Sequence, residues 1–421
     1  MRRVLPPLLA LLALPAAFAA PSDVHTEKTG AGWVLKVDGK PFFIQGIACD
    51  QAMGEHGEDY LKMAADAGAN AVRVYGSVTP VYLDHAQNNG LKVNVGFWFN
   101  AIRLKTKESY KDAAHRRALR DEVMAYVRKY KNHPAVLAWT MGNEVFRFTD
   151  EKDERDAFGA FLEDLIQTIH KEDPHHPIIY ASSYSNDLAE LQKWAPDIDI
   201  VGVNVTGGAN SAIHWTTLHQ FDKPVVVTEF APFGAWEQRK DANDQPYDPF
   251  DQFKADNYRS SWRQIKANPQ VCIGGFAFLL GDQRNQDSLT WYNMNYGALK
   301  RAGYWTIHEL YTGKPAPYAY PKITMFEVSP SSGVAPGSRI RVAVTASAAS
   351  PGKTHTDYFV TSIFSDPLIV EKGRFFPADV KTENGETTVR APAQAGTYRV
   401  YAHVTDDHGS VAIASHSIKV H

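Results

Sequence analysis

The chain has 421 residues, 44% of them hydrophobic, and a formal net charge of −3 at pH 7. That is enough apolar material for a large core with a second, smaller domain beside it, and it excludes a disordered chain. A mildly acidic composition without runs of Lys or Arg argues against nucleic acid and anionic membranes as partners.

The first residues read as a leader. Arg2-Arg3 precedes an apolar run from Leu5 to Ala17, and Ala17-Phe18-Ala19 stands just before Pro21. This is the pattern of a secretory signal peptide over residues 1–20, cleaved near Ala19 or Ala20. Its removal takes away two positive charges and moves the net charge from −3 to −5. No other apolar run approaches the roughly 20 residues that span a bilayer, so a soluble protein is expected, secreted or periplasmic. Export permits a disulfide between Cys49 and Cys272. However, Cys49 lies near the end of the first expected strand and Cys272 at the start of the last, at opposite rims of a barrel, so two free buried thiols are expected.

Next comes Gly32 to Ile44, which alternates on both sides of Asp38-Gly39 and so reads as a hairpin under the main domain. Beyond it one unit repeats, strand then helix. The strands are Phe42–Ile47, Ala71–Tyr75, Lys92–Phe97, Val136–Thr140, Ile178–Ala181, Ile198–Val203, Val225–Thr228 and Gly274–Leu279. Amphipathic stretches such as Tyr60–Ala67, Leu119–Tyr130, Phe158–His170 and Phe253–Ala267 fall between them. Eight alternations over about 250 residues is the size of a TIM (β/α)8 barrel. A doubly wound open sheet is the competitor, but Gly46-Ile47-Ala48-Cys49-Asp50 lacks the Gly-rich turn of a nucleotide site.

The pattern changes at Pro315, Pro317 and Pro321. Short alternating segments follow, at 323–328, 340–345, 358–364, 387–389, 398–404 and 411–418, separated by turns such as Pro351-Gly352. They predict an immunoglobulin-like antiparallel β-sandwich. The expected layout is therefore a barrel with its hairpin over 21–314, a linker over 315–321 and the sandwich over 322–421. Tyr398 reads either as a tyrosine corner or as a plain core residue.

Two strand ends carry the chemistry. Val136-Leu137-Ala138-Trp139-Thr140-Met141 is a near-continuous apolar run, as a parallel strand covered on both faces requires, and it stops at Gly142-Asn143-Glu144. Lys223-Pro224-Val225-Val226-Val227-Thr228-Glu229 repeats the design on the seventh strand. Strand ends face the mouth of such a barrel, so Glu144 and Glu229 become a candidate pair of catalytic carboxylates. A helix cap or a salt bridge is the plain alternative for either one. His175-His176 lacks the helical spacing of a zinc pair, no Gly-x-Ser-x-Gly elbow occurs, and no metal or other cofactor is expected.

Asn143-Glu144 and Glu229 resemble the acid/base and nucleophile of clan A, the retaining glycoside hydrolases with TIM barrels. Asn132-His133-Pro134 with Trp139 to Glu144 is most similar to the barrel domain of glycoside hydrolase family 2. Val72-Arg73-Val74-Tyr75-Gly76 with Asn89 to Trp98 is instead similar to the β-1,3-glucanases and glucanosyltransferases of families 17 and 72. The resemblance spans roughly residues 32–312. It implies that Arg73 holds Glu229 ionised, that Glu144 starts protonated with a raised pKa, and that Asn143 bonds the sugar 2-hydroxyl. Asp50, Trp98, Trp236, Trp291 and Tyr292 are candidate subsite residues, and Asp282 and Asp287 are further acids near the mouth. Two positions depart from the clan, Asn204 after strand six and Phe278 after strand eight. The expected activity is double-displacement hydrolysis or transfer on a β-linked saccharide, β-glucan favoured. A family 2-like exo-glycosidase is the alternative, against which the missing N-terminal sandwich argues. A non-catalytic carbohydrate-binding barrel is the third reading, disfavoured because binding alone needs neither Glu144 nor Glu229.

Overall fold

The computed structural model describes residues 21–102, 108–183, 186–282, 290–347, 352–362 and 376–421. The expected leader at 1–20 and Asp287 lie outside them. Eight parallel strands close into a barrel in sequential order. They are β1 (Ile44–Ala48), β2 (Ala71–Val74), β3 (Lys92–Phe97), β4 (Val136–Asn143), β5 (Ile178–Ser183), β6 (Ile200–Thr206), β7 (Val225–Ala231) and β8 (Cys272–Ala277). Closure removes the open-sheet alternative. Several bounds move by a few residues: β8 begins at Cys272 rather than Gly274, β7 runs on to Ala231 and so includes Glu229, and β4 runs on to Asn143, so Glu144 stands just outside it.

The helices between strands begin where the sequence supplies a cap. Asp59 accepts from the backbone N–H of Lys62 at the start of Tyr60–Asp66, and Asp112 accepts from that of Ala114 before Ala113–Tyr130. Their apolar faces and the outward side chains of the strands make one buried shell, with Trp139, Tyr180 and Leu162 fully inside it. Trp139 is anchored because its indole N–H donates to buried Asp173 at 2.8 Å.

Below the barrel, Val24–Thr29, Gly32–Val37 and Lys40–Pro41 form a three-stranded sheet. Asp38 and Gly39 take the φ values of +52° and +75° that the two-residue turn needs. Val24, Leu35 and Val37 pack on Leu137, Ile179 and Val226, which closes the bottom. The sequence reading caught the hairpin and missed its first strand. Both cysteines are free and buried, and burial pushes the Cys272 thiol up to about 12. No helix among the described residues is long and apolar enough to cross a membrane.

After an irregular stretch over 314–321, eight strands among the described residues build two antiparallel sheets of four. These are β9 (Lys322–Ser329), β10 (Arg339–Ser347), β11 (Thr354–Ser362), β12 (Phe376–Pro377), β13 (Val380–Glu383), β14 (Glu386–Arg390), β15 (Gly396–Asp406) and β16 (Val411–Val420). One sheet runs β9-β10-β14-β13 and the other β12-β11-β15-β16, around a core that includes Ile323, Ile340, Val400 and Ile418. The short strands β12 and β13 carry too little alternation for sequence to reveal. Tyr398 forms the corner, its hydroxyl donating to the Gln394 carbonyl at 3.1 Å.

Candidate active site

Four strands deliver the polar cluster at the carboxyl end of the barrel. Arg73 comes from β2, and its side chain is 1% exposed. A buried guanidinium must be paired, and its partners lie across the barrel. Nη1 donates to Glu229 Oε1 at 2.9 Å and to the Thr228 carbonyl at 2.9 Å, while Nη2 donates to Asn143 Oδ1 at 2.8 Å. Tyr75, two residues beyond Arg73 and so on the same side of the strand, donates its hydroxyl to the same Glu229 Oε1 at 2.9 Å. The guanidinium also lies over the Tyr75 ring, 4.1 Å from its centroid.

Asn204, on β6, faces Glu229 in the strand register. Its Oδ1 accepts from Thr228 Oγ1 at 2.8 Å and from Arg73 Nη1 at 3.4 Å. Its Nδ2 donates to Asn143 Oδ1 at 3.0 Å and to Glu144 Oε1 at 2.9 Å. One polar net thus runs from Glu229 through Arg73 and the two asparagines to Glu144. Glu144 itself takes a left-handed backbone (φ 54°, ψ 24°) straight after β4, following Gly142 at φ +93°. Strain of this kind gathers at functional sites.

The Glu229 carboxyl is pushed up to about 7. Burial is the main cause and the nearby Glu144 charge adds to it, against the pull of Arg73 and Tyr75. Glu229 lies inside β7 rather than at its tip, with a side chain only 17% exposed, so it loses more hydration than a strand-end carboxylate. A further buried acid, Asp187, is pushed up to about 7 by burial and by the Glu144 charge, although the Ser183 N–H and hydroxyl both donate to it.

The expected subsite residues divide. Trp98 and Trp236 are open to solvent, 53% and 65% exposed, beyond β3 and β7. Asp50 sits beside the net, accepting from the Tyr75 N–H at 2.7 Å, and burial raises its pKa. Trp291 and Tyr292 must be corrected. Both are buried: Trp291 donates to the Phe233 carbonyl at 3.0 Å and lies under the Lys254 ammonium, and Tyr292 packs edge-on against Phe278. Neither presents an open face to a sugar. Asp282 is engaged with the Tyr60 hydroxyl at 2.5 Å. Tyr75, Thr228 and Asn204 were not among the expected site residues. The Arg73-x-Tyr75 spacing is a signal that could have found Tyr75, and half-buried Phe278, just beyond β8, meets its ring edge-on.

Residues 81–235 match the family model for glycosyl hydrolases family 2, TIM barrel domain. This stretch holds Asn143, Glu144, Asn204 and Glu229, whereas Arg73 and Tyr75 precede it. Goat (Capra hircus) β-mannosidase is 27% identical over 232 residues, covering 49% of this chain and 25% of that protein. Human (Homo sapiens) β-glucuronidase is 27% identical over 212 residues, covering 44% of this chain and 29% of that protein. The chain therefore spans between a quarter and a third of the length of these two relatives. Among solved structures, a Bacteroides uniformis β-glucuronidase covers 94% of this chain and 48% of its own, with a TM-score of 0.54 and 13% identity. At that identity the likeness shows the fold.

Proposed function

We propose that the protein is a retaining β-glycosidase of the family 2 exo-acting sort, with Glu229 as nucleophile and Glu144 as acid/base. The observation that carries this reading is the pairing of the two carboxylates through one net. Arg73 and Tyr75 both bond Oε1 of Glu229, which leaves Oε2 for the anomeric carbon. Arg73 and Asn204 both hold Oδ1 of Asn143, which leaves its amide N–H groups for a sugar hydroxyl. Glu144 donates a proton to the departing oxygen as Glu229 attacks, then takes one from the water that releases the glycosyl-enzyme. The β-mannosidase and β-glucuronidase relatives favour the exo reading over a β-glucanase. An exported site of action rests on the apolar leader.

A second reading, action on an extended β-glucan, draws support from the exposed Trp98 and Trp236, which follow strands four apart in the barrel. Both readings meet one test. Wild type, E229Q and E144Q are assayed on aryl β-glucuronide, β-mannoside, β-galactoside and β-glucoside and on β-glucan oligosaccharides. E229Q is expected to abolish turnover, and E144Q to lose about 10²- to 10⁴-fold on unactivated leaving groups. The exo reading expects one monoglycoside to be cleaved well, and the glucan reading expects rates that climb with chain length. A wild type inert on the whole set, or an active E229Q, overturns the glycosidase.

A further inference from the structure

We infer that Asn204 is a positioning residue that assigns the two oxygens of Glu144, Oε1 to be held and Oε2 to carry the proton delivered to the leaving group. The inference rests on the glycosidase reading and adds to it a role for a side chain on β6.

The argument is one of hydrogen-bond capacity. A carboxamide has two acceptor sites on oxygen and two N–H donors. In Asn204 all four are engaged within the protein: Oδ1 by Thr228 Oγ1 and Arg73 Nη1, and Nδ2 by Asn143 Oδ1 and Glu144 Oε1. Turning the amide over would set its N–H groups against the Arg73 guanidinium and its oxygen against a carboxylate, so the orientation is locked. Asn204 is also held as a neighbour of Glu229 by strand register, which makes its distance to Glu144 a property of the barrel rather than of a loop. A protonated Oε1 would bring its own hydrogen against the Asn204 N–H. The proton therefore resides on Oε2, the oxygen not spoken for.

The glycosylation step then balances as follows. Glu229 Oε2 forms the bond to the anomeric carbon, and the bond from that carbon to the leaving oxygen breaks. The electron pair goes to the leaving oxygen, which takes the proton from Glu144 Oε2. Glu144 becomes a carboxylate at the moment when the Asn204 N–H is worth most, since a donor stabilises the charged form. Deglycosylation runs the same transfers backwards with water.

The test uses N204A and N204D in the full chain, on whichever glycone of the aryl panel wild type cleaves, with a dinitrophenyl and a phenyl leaving group. The first needs no proton and the second does. N204A is expected to lose about 10-fold or more in kcat/KM on the phenyl glycoside, a fraction of what general acid catalysis supplies. On the dinitrophenyl glycoside it should stay within about 3-fold, the acid being dispensable there. Loss of the donor raises the acid's pKa, so the high-pH limb of kcat/KM should move upward in N204A and further in N204D, where a second negative charge faces Glu144. Labelling of Glu229 by an activated 2-fluoro glycoside reports an intact nucleophile in both variants. Equal losses on both leaving groups with an unmoved limb overturn the inference while leaving the glycosidase standing. Retained activity in E229Q, or inertness of wild type, would instead remove the parent reading.

Discussion

Glu229 is asked to be an anion in the place least suited to one. Inside β7, burial and the Glu144 charge push it up to about 7, and only Arg73 and Tyr75 oppose them. If it is the nucleophile, kcat/KM should climb as pH rises through about 7, because the carboxylate is the reactive form. Tyr75 supplies a hydrogen bond to that charged form. Such bonds are worth about 1.5–3 kcal/mol, or about one to two pKa units. Y75F should therefore move the low-pH limb of kcat/KM upward by about a unit or more, with thermal stability little changed, since the ring and its contact with Phe278 remain. A limb that stays in place would show that the phenol packs without tuning Glu229. Arg73 and both carboxylates were legible from residue type and strand position. Tyr75 was not singled out, because a Tyr closing a strand looks the same whether its hydroxyl meets solvent or a carboxylate. Asn204 stood out only as a departure from a pattern, and its bonds depend on pairing across strands that no local signal encodes.

Among the elements, the end of β4 departs from regular geometry at two residues. The strand stays buried through Gly142, the backbone swings to φ +93° there, and Glu144 lands in the left-handed region before the short helix Val145–Phe148. This double bend re-aims the carboxylate from strand direction toward Asn204. A side chain at Gly142 would be strained at that φ, and its Cβ would lie 3.2 Å from both Phe99 and Tyr180. G142A should cost about 1–3 kcal/mol in stability from the forced φ, measured by urea unfolding. It should also lower kcat/KM more on poor leaving groups than on activated ones, as Glu144 shifts. A variant of unchanged stability and activity would show that the bend is incidental. The eight strands were legible because each is a short apolar run bounded by turn residues. The bend was not, since Gly-Asn-Glu reads equally well as an ordinary loop. The buried Trp291 and Tyr292 show the opposite failure: they lie beyond a strand end, but Trp291 is buried and bonded to the Phe233 carbonyl, and Tyr292 is buried edge-on against Phe278.

The whole molecule is joined where the β7–β8 side of the barrel meets the sandwich. The helix Asp251–Ala267 begins at this contact. Asp251 pairs with Arg301, its side chain 6% exposed and that of Arg301 3%, and it also accepts from the Ile413 N–H of β16 at 3.2 Å. Arg301 Nη1 donates to the carbonyls of Thr290 at 2.5 Å and Asn293 at 2.7 Å, tying down the segment after β8. Nearby, Asp248 accepts from Lys254 and from Ser415 of β16, and Arg399 of β15 donates to the Pro246 carbonyl. The sandwich thus braces the long excursion between Trp236 and the helix. These polar bonds surround an apolar contact in which Tyr401, Val411 and Ile413 of the sandwich pack with Tyr296 and Leu299. Removing one partner of a buried ion pair costs about 3–5 kcal/mol, because the other is left as an uncompensated charge. D251N should therefore lower the urea midpoint strongly while keeping a single transition, since barrel and sandwich share the bonds being lost. D379N removes the partner of Arg339 and Arg390 on the exposed surface of the sandwich and should change the midpoint little. Two separate transitions in wild type, or equal small effects of the two variants, would mean that the sandwich is appended to the barrel without supporting it. With one transition and a large D251N effect, the geometry of the mouth beyond β7 is set by the entire chain.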